Sequence, residues 1–559
     1  MSAEPRFELI IGPAGDYYYF KDEILERIQQ GNHLEYDFIC FLPVKRAVRY
    51  FKEQLVDAAP NKVLADPPIY TFYEFMVKFY REFPEARKII APAMRLFLVE
   101  AALKQGVDQF RFFSGTSAKR RGLVRKIDTL LVELREYGYS AEMLQKHIEQ
   151  GDARTHDFSV CIEAFEQLLG QRLIDEAGAI QKVFDRLDDG GDTWQRRYPG
   201  VKMIYMNGYG LFSRPMLRFF ECIRGVCSVK VKLDYLPEMA GTGQLLEHIE
   251  PAYNALEALN PEIPRHQEPQ EWERRLFNHH YEDNSREALP LDKDVLIQPA
   301  NSRQEEVAFI ASYVKRLHLS QQIPLHKIAL TFPTLEDYAP LIHEIFSRYE
   351  VPYNLSTGFQ LSQSPLVRSF LLVLEVPMLG YEVKKLLQLL SSPFFRPTEQ
   401  PPVDVSVVKA LARELRITHF HGKWKDAFEK HLAYLQSRVD EADLEDEYEV
   451  LQIREQIEHY RETVPLLENI LDELHQLEQR HSVTKFREQF LKLLESCGFL
   501  DWYKQNNKEL SPLEEEREYR AFNRFIKLLD QFSWIVTNLH GEQKLTLKLL
   551  SLEPFEPAS

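Results

Sequence analysis

The sequence predicts an α/β fold with large helical insertions. Near the N-terminus, apolar runs of strand length alternate with amphipathic helices, a pattern typical of parallel strands joined by crossover helices. The first strand begins at Phe7 and is followed by a glycine-containing turn and a helix from about Lys21. From Pro84 to about Arg197 the pattern is almost entirely helical, and strand character returns at 201–206. We therefore expect strands that are distant in sequence to share one sheet, with a helical block inserted between them.

Length, composition and charge limit the class of protein. The 559 residues are enough for about three or four domains, and 44% hydrophobic and 12% aromatic residues exclude global disorder. The net charge of −16 gives no overall attraction to nucleic acid, so any such binding needs local basic patches. Five scattered cysteines without a CxxC pair argue against a zinc site or disulfide framework. With no signal peptide or membrane-length apolar run visible, we expect a cytoplasmic protein.

The turn after the first strand has the layout of a phosphate-binding loop. In such a loop, backbone N–H groups and a helix N-terminus hold phosphates, and a Lys and a Ser or Thr follow the glycines. Gly12 and Gly15 stand at suitable positions for flexible backbone, but Tyr18 and Tyr19 occupy the places of the Lys and the Ser or Thr. Tyrosine has no positive charge for phosphate. The residues alone leave open a degenerate nucleotide site and a coincidental strand–turn–helix.

A second strand lacks the matching carboxylates. A nucleotide hydrolase places acidic residues after such a strand, where they hold Mg²⁺ and polarise the attacking water. Here the strand at 201–206 ends in Asn207 and Gly208. The amide of Asn207 and the backbone of Gly208 cannot supply that charge. We therefore predict that this segment, like the loop after the first strand, has lost the residues needed for nucleotide hydrolysis.

The second half of the sequence predicts another α/β block followed by helices. A strand, a polar turn and a helix are expected from about residue 293, and the α/β block continues through KIALTF. From about Tyr381 to Phe532 the pattern is helical. The charged run around 441–480 has apolar residues at helical spacing, and we interpret it as a solvated amphipathic helix pair broken near Pro465.

Several stretches, in order, resemble the AddB (RexB) family, the subunit that pairs with an AddA-type helicase-nuclease in bacterial double-strand-break processing. The similarity extends over about residues 5 to 395. The stretches that carry it are IIGPAGDYYYF, IYTFYEFM, IYMNGYGLFSRPMLRFF, ANSRQEEVAFIASYVKRL, KIALTFPTLEDYAPLIHEIFSRYEVPYN, SQSPLVRSFLLVLE and LLQLLSSPFF. Such proteins look like superfamily 1 helicases of the UvrD type whose motor has often decayed.

The resemblance implies two RecA-like motor domains derived from the P-loop fold, the second incomplete, with large helical insertions. The implied domains are 1–84 plus 198–236 for the first RecA-like domain, 85–197 for a helical insertion, 237–292 for a connecting segment, 293–380 for the start of the second RecA-like domain, 381–535 for a helical domain and 536–559 for a tail.

The departures from the family pattern predict a silent motor. The degenerate nucleotide loop comprises Gly12, Gly15, Asp16, Tyr17, Tyr18 and Tyr19, and the degenerate acidic segment comprises Asn207 and Gly208. Pro333 falls at or beside the arginine that UvrD-like proteins use on the γ-phosphate. We find no PD-(D/E)xK nuclease signature and no cysteines placed for an iron–sulfur cluster. We therefore expect no catalytic residues, no metal site and no cofactor, whether ATP, Mg²⁺ or an iron–sulfur cluster.

With ATPase and nuclease activity not expected, the function that the family resemblance still implies is DNA binding. Two basic segments near aromatic residues lie where related helicases grip single strands by phosphate contacts and base stacking. The alternative is that these cations merely balance an acidic surface, and that the aromatic rings are core residues. The candidate residues are Lys45, Arg46, Arg49, Thr71, Phe72, Lys119, Arg120, Arg121, Arg125 and Lys126.

The sequence thus predicts a catalytically silent helicase-like subunit that binds single-stranded or forked DNA ends and an AddA-type helicase-nuclease partner, with no membrane association. One alternative is the N-terminal part of an AddB-type exonuclease subunit whose nuclease domain is not in this chain. Another is a protein-interaction scaffold without DNA binding.

Overall fold

The computed structural model divides into two compact units, Met1–Val295 and Leu296–Ser559, and each is described here by itself. None of the helices in the described part of the chain is both long and apolar enough to cross a membrane. The described residues are 5–12, 18–30, 36–59, 62–113, 121–146, 152–235, 247–259, 261, 296–356, 361–397, 400–420, 422, 424–441, 447–479, 481–500 and 512–540.

The first unit alternates strands and helices, interrupted by a helical block. Its elements in chain order are β1 (Phe7–Gly12), α1 (Lys21–Gln30), β2 (Phe38–Phe41), α2 (Lys45–Ala58), β3 (Ile69–Tyr70), α3 (Phe72–Arg81), β4 (Lys88–Ile89), α4 (Pro92–Gly106), α5 (Arg121–Glu136), α6 (Ala141–Lys146), α7 (Ala153–Leu169), β5 (Leu173–Ile174), α8 (Glu176–Leu187), α9 (Asp192–Arg197), β6 (Met203–Met206), α10 (Arg214–Ile223), β7 (Ser228–Asp234) and α11 (Glu250–Glu257).

Five of these strands form one parallel sheet in the order β1-β7-β6-β2-β3. Phe7 of β1 lies beside Val229 of β7, so strands on either side of the helical block are neighbours. The prediction of an α/β fold with a parallel sheet and inserted helices is therefore confirmed. A separate parallel ladder joins Lys88–Ile89 to Leu173–Ile174 within the helical block.

The sheet is buried on both faces, as crossover helices require. Side chains alternate along each strand, so Leu9 and Ile11 face one hydrophobic cluster while Ile10 faces the other. One face is covered by α1 and α2, and the other by α3, α8 and α10. Because α8 belongs to the helical block, that block contributes directly to the core of the sheet.

In the described residues of the second unit, the regular secondary-structure elements are all helices. Its helices are α12 (Arg303–Gln321), α13 (Leu335–Arg348), α14 (Pro365–Met378), α15 (Val383–Leu390), α16 (Val405–Glu414), α17 (Trp424–Asp440), α18 (Glu447–His475), α19 (Val483–Ser496) and α20 (Pro512–His540).

The prediction of a strand at the start of this unit is wrong for the described residues. Residues 296–300 form no strand, and between 296 and 540 the described residues contain only one isolated bridge, between Glu382 and His419. A strand exists only when its N–H and C=O groups pair with a neighbour. The apolar residues predicted to be buried in a sheet are instead exposed, with Ile297 87% and Leu296 59% accessible.

The expected break near Pro465 is also wrong, because α18 runs without interruption through that residue. Proline inside a helix removes one hydrogen bond and costs about 3 kcal/mol. Burial of Val464, Leu467 and Ile470 along the same helix offsets that cost. Tertiary packing therefore outweighs the local preference of the sequence.

Candidate functional site

The glycine turn begins at the C-terminal end of β1, at the edge of the sheet where parallel α/β proteins bind ligands. Gly12 is the last residue of the strand, and α1 begins at Lys21. The predicted site residues Gly15, Asp16 and Tyr17 lie outside the described residues.

Tyr18 and Tyr19, which the sequence analysis predicts in the places of phosphate-binding residues, are partly buried against neighbouring aromatic rings. The Tyr18 ring is stacked on Phe51 of α2, with centroids 4.9 Å apart and planes 12° from parallel, and Tyr50 lies 5.8 Å away. Tyr19 meets Phe20 edge to face at 5.1 Å. In this arrangement the two tyrosines extend the hydrophobic core beneath the turn.

A buried lysine from β7 lies beside the C-terminal end of β1. The Lys232 side chain on β7 is fully buried. Its Nζ donates to Asp234 Oδ1 at 3.0 Å and to the carbonyl oxygens of Leu233 at 3.3 Å and Gly12 at 3.5 Å. The Tyr19 ring centroid is 5.9 Å from the same nitrogen. The positive charge that the loop sequence lacks is therefore present nearby, but protein oxygens already surround it. Sequence reasoning missed this residue, although the repeated lysines of VKVKLD in a buried strand are a visible signal.

A polar network fixes α1 to the sheet. Glu23 accepts hydrogen bonds from the Tyr205 hydroxyl at 2.7 Å and from Lys230 Nζ at 2.9 Å. Arg27 donates to the Tyr205 hydroxyl at 2.7 Å and to Asp37 at 2.8 Å. Burial, and then the Glu23 carboxylate, raises the pKa of Tyr205 far above its usual range, so the phenol remains protonated. The helix that follows the turn is held by side chains and needs no bound phosphate for its position.

Residues 207–209, which follow β6, form hydrogen bonds that connect neighbouring elements of the first unit. Asn207 is buried, and its N–H donates to the Phe41 carbonyl at 3.2 Å. Gly208 has a φ of +79°, a backbone conformation that favours glycine. The Tyr209 hydroxyl donates to the Leu42 carbonyl at 2.7 Å and accepts from the Phe72 N–H at 3.4 Å. These contacts join the C-terminal ends of β2 and β6 to the start of α3.

The basic residues Lys45, Arg46 and Arg49 are all exposed on the first two turns of α2, which starts at the same edge of the sheet. The helix has no side-chain cap at Val44 and no acidic residue in its first turn. Cations at a helix N-terminus oppose the macrodipole by typically 0.3–1 kcal/mol each, so this placement weakens the helix. Local sequence choices that reduce stability often mark functional positions. We call these three residues the α2 cations.

One of the α2 cations interacts with an acidic residue at the start of α8, Glu176. Burial raises the pKa of Glu176 above its ordinary value, whereas Arg95 and, to a smaller extent, Lys45 lower it.

Two further residues predicted to bind DNA, Thr71 and Phe72, have structural contacts at the start of α3. Thr71 caps α3, where its hydroxyl accepts from the Glu74 N–H at 3.4 Å. Phe72 is fully buried against Phe41 and Phe219, so its proposed base-stacking role is wrong in this conformation because no ring face is accessible.

Within the second basic segment the structure places two residues. Lys119 and Arg120 lie outside the described residues, and Arg121 begins α5, although its side chain is not described. Arg125 and Lys126 are exposed on that helix, opposite its buried face. Pro333 is exposed just before α13 in the second unit.

The described residues define an α/β protein with a five-stranded parallel sheet and an inserted helical block. Within that class, the chain is similar to the AddB family over part of its length. Residues 9–235, from β1 to the end of β7, match the family model described as "ADDB, N-terminal". The family resemblance seen in the sequence is thereby confirmed.

Individual relatives point to the same family, since each is named as the B-type subunit of an ATP-dependent helicase/deoxyribonuclease. The relative from Lysinibacillus sphaericus is 24% identical over 340 residues, covering 56% of this chain and 28% of the relative. The one from Clostridium novyi is 21% identical over 401 residues, covering 66% and 34%. One from Streptococcus suis is 25% identical over 250 residues, covering 44% and 21%. The matches thus span about a third or less of these relatives' lengths.

Proposed function

We propose that this protein is a catalytically silent, helicase-like subunit of a DNA-end-processing complex, acting in double-strand-break repair and recombination. It binds single-stranded or forked DNA ends and an AddA-type helicase-nuclease partner, and it acts in the cytoplasm without ATP, Mg²⁺ or an iron–sulfur cluster. The relatives' name, which makes them one subunit of a helicase/deoxyribonuclease, supports the class of partner and substrate. We also propose that the five-stranded sheet is the core of a RecA-like domain.

The observation that carries the proposal is the edge of the sheet. It combines exposed α2 cations with a buried lysine, Lys232, whose Nζ already donates to protein oxygens, including the Gly12 carbonyl at the end of β1. The first feature suits a phosphate backbone on the protein surface. The second means that Lys232 is engaged by the protein and not by a nucleotide. Binding without hydrolysis is the function that these contacts support best.

We expect purified protein to hydrolyse ATP at the rate of a blank, with or without DNA. Missing transition-state cations cost about 10³-fold or more in phosphoryl transfer. Steady-state phosphate release measures this, and Tyr18→Ala is expected to leave the rate unchanged. Hydrolysis well above the blank that survives Tyr18→Ala would contradict the prediction. Loss of such activity in Lys232→Met would assign it to the buried lysine.

We expect the triple variant Lys45→Gln, Arg46→Gln, Arg49→Gln to bind DNA more weakly, with a flatter salt dependence. Each phosphate contact on a single strand adds about 0.7 to the slope of log K against log salt, so three lost contacts lower it by about 2. Fluorescence anisotropy with single-stranded and forked DNA measures both quantities.

The matched control for that experiment replaces Arg520, Arg524 and Lys527 by Gln, three cations exposed on α20 in the second unit. We expect the control to bind as the unmodified protein does. An unchanged slope in the α2 variant would remove this surface from the proposal, and absence of DNA binding by the unmodified protein would leave the interaction scaffold as the function.

A second candidate is the N-terminal part of an AddB-type exonuclease subunit whose nuclease domain is outside this sequence. It is favoured by the relatives' name and by their greater length. An in-frame nuclease-encoding segment directly downstream in the genome would distinguish it from the silent subunit.

A further inference from the structure

A short aromatic turn in the helical block is held by one buried carboxylate. Asp157 on α7 has no accessible surface. Its Oδ1 accepts the N–H of Arg111 at 2.8 Å, and its Oδ2 accepts those of Phe112 and Phe113, also at 2.8 Å. Three consecutive backbone donors on one carboxylate fix the conformation of the turn, residues 110–113, although the carboxylate lies some 45 residues away in sequence.

Aromatic packing fixes the same turn from below. Phe113 is buried and meets Phe110 at 6.1 Å and Phe158 at 5.6 Å, each edge to face. Phe110 packs over Gly106 at the end of α4, where a Cβ atom would come within 2.7 Å of the Phe110 ring. The turn is therefore held by both hydrogen bonds and close contacts.

The turn exposes the aromatic ring of Phe112 close to the guanidinium group of Arg154. Phe112 is 47% exposed, whereas its neighbour Phe113 is buried. The Arg154 guanidinium carbon lies 4.5 Å from the Phe112 ring centroid, and the preceding residue, Arg111, is exposed. The acidic groups nearest in sequence are Asp108 and Asp152, and Asp152 caps α7 through the N–H groups of Arg154 and Thr155.

We propose that Phe112, with Arg111 and Arg154, is a base-stacking site for single-stranded nucleic acid. The inference rests on the proposed function and deepens it by assigning a residue to the bases. An aromatic ring stacked with a guanidinium plane offers a π surface that accepts any base, and the adjacent arginine supplies a phosphate contact. The buried Asp157 positions the ring in advance, which reduces the entropy lost on binding. None of these residues was among the binding candidates taken from the sequence.

The test uses the full chain and fluorescein-labelled oligo(dT). Phe112→Ala is expected to weaken binding about tenfold, since stacking on one base is worth roughly that factor or more. Because the ring carries no charge, the salt slope stays unchanged, whereas Arg111→Gln lowers it by about 0.7. Phe112→Trp restores affinity. Photocrosslinking to oligonucleotides that contain 5-iododeoxyuridine, mapped by mass spectrometry, is expected to modify Phe112.

The matched control is Tyr137→Ala, which removes another exposed aromatic ring of the helical block, 57% accessible, and is expected to bind normally. If the unmodified protein fails to bind oligo(dT), the proposed function fails. If it binds and Phe112→Ala binds equally well without a crosslink at Phe112, only the stacking site is overturned. Normal DNA binding by Phe112→Ala with loss of a purified helicase-nuclease partner would overturn it in favour of a protein interface.

Discussion

Replacing Asp157 by Ala is expected to lower the free energy of unfolding of the first unit by about 3–5 kcal/mol. The substitution removes a fully buried carboxylate and leaves the N–H groups of Arg111, Phe112 and Phe113 without their acceptor. Each unsatisfied buried donor costs about 1–3 kcal/mol, reduced where the turn opens to water. Denaturant unfolding measures the global effect, and hydrogen exchange at those three amides measures the local one.

Asp152→Ala is the matched control, because Asp152 caps the same helix from an exposed position. Loss of such a cap costs about 1 kcal/mol. Equal effects of the two substitutions, or retained protection of the three amides in Asp157→Ala, would contradict the role assigned to Asp157.

The same carboxylate predicts a pH dependence. Burial alone would raise the pKa of Asp157, but hydrogen bonds from the Arg111 and Phe113 N–H groups, His156 and the Phe112 N–H hold it below its usual range. Its contribution to stability is therefore fully present above the unfolded pKa of about 3.9 and is lost as pH falls through the lower folded value. Asp157→Asn is expected to lack that part of the acid unfolding, which a pH series of denaturant midpoints measures.

Replacing Lys232 by Met is expected to destabilise the first unit by about 2–3 kcal/mol. The variant keeps the aliphatic volume but removes a buried cation, leaving Asp234 and the Gly12 carbonyl without their donor. Loss of one partner of a fully buried pair costs about 3–5 kcal/mol, and the cost is lower here because the Asp234 side chain retains 27% exposure to water. Thermal and denaturant unfolding measure the change.

Lys230→Met provides the control on the same strand. Lys230 pairs with Glu23 from a position that is 20% exposed, so its loss is expected to cost about 1 kcal/mol. DNA affinity is expected to be unchanged in Lys232→Met once folded protein is compared. If Lys232→Met left the stability unchanged but abolished nucleotide or DNA binding, Lys232 would instead be a ligand-binding residue.

Much of the first unit is readable from local patterns. Buried parallel strands such as FICF appear as continuous apolar runs, and α1, α2 and α3 start close to where their sequences predict. The same reasoning fails at 296–300, because an apolar run predicts a strand without revealing whether a partner strand lies beside it. It fails at Pro465 because the burial of a long helix outweighs one local penalty.

The candidate site divides in the same way. That Tyr18 and Tyr19 replace phosphate-binding residues, and that Asn207 and Gly208 replace carboxylates, remains a prediction from the sequence. The sequence also gives the α2 cations, whose exposure follows from the amphipathic pattern of their helix. Phe72 shows the limit, since TFYEF left both a stacking ring and a core ring open and the structure buries the ring.

The α/β pattern and the inserted helices can be read from the sequence, because periodicity and residue identity are local properties. That Lys232 Nζ lies 3.5 Å from the carbonyl oxygen of Gly12, 220 residues away in sequence, follows only from the folded chain. The same is true of Asp157, which holds the turn that exposes Phe112. A buried charge must find its partners wherever the chain brings them together, and which distant segments meet depends on the packing of the whole unit.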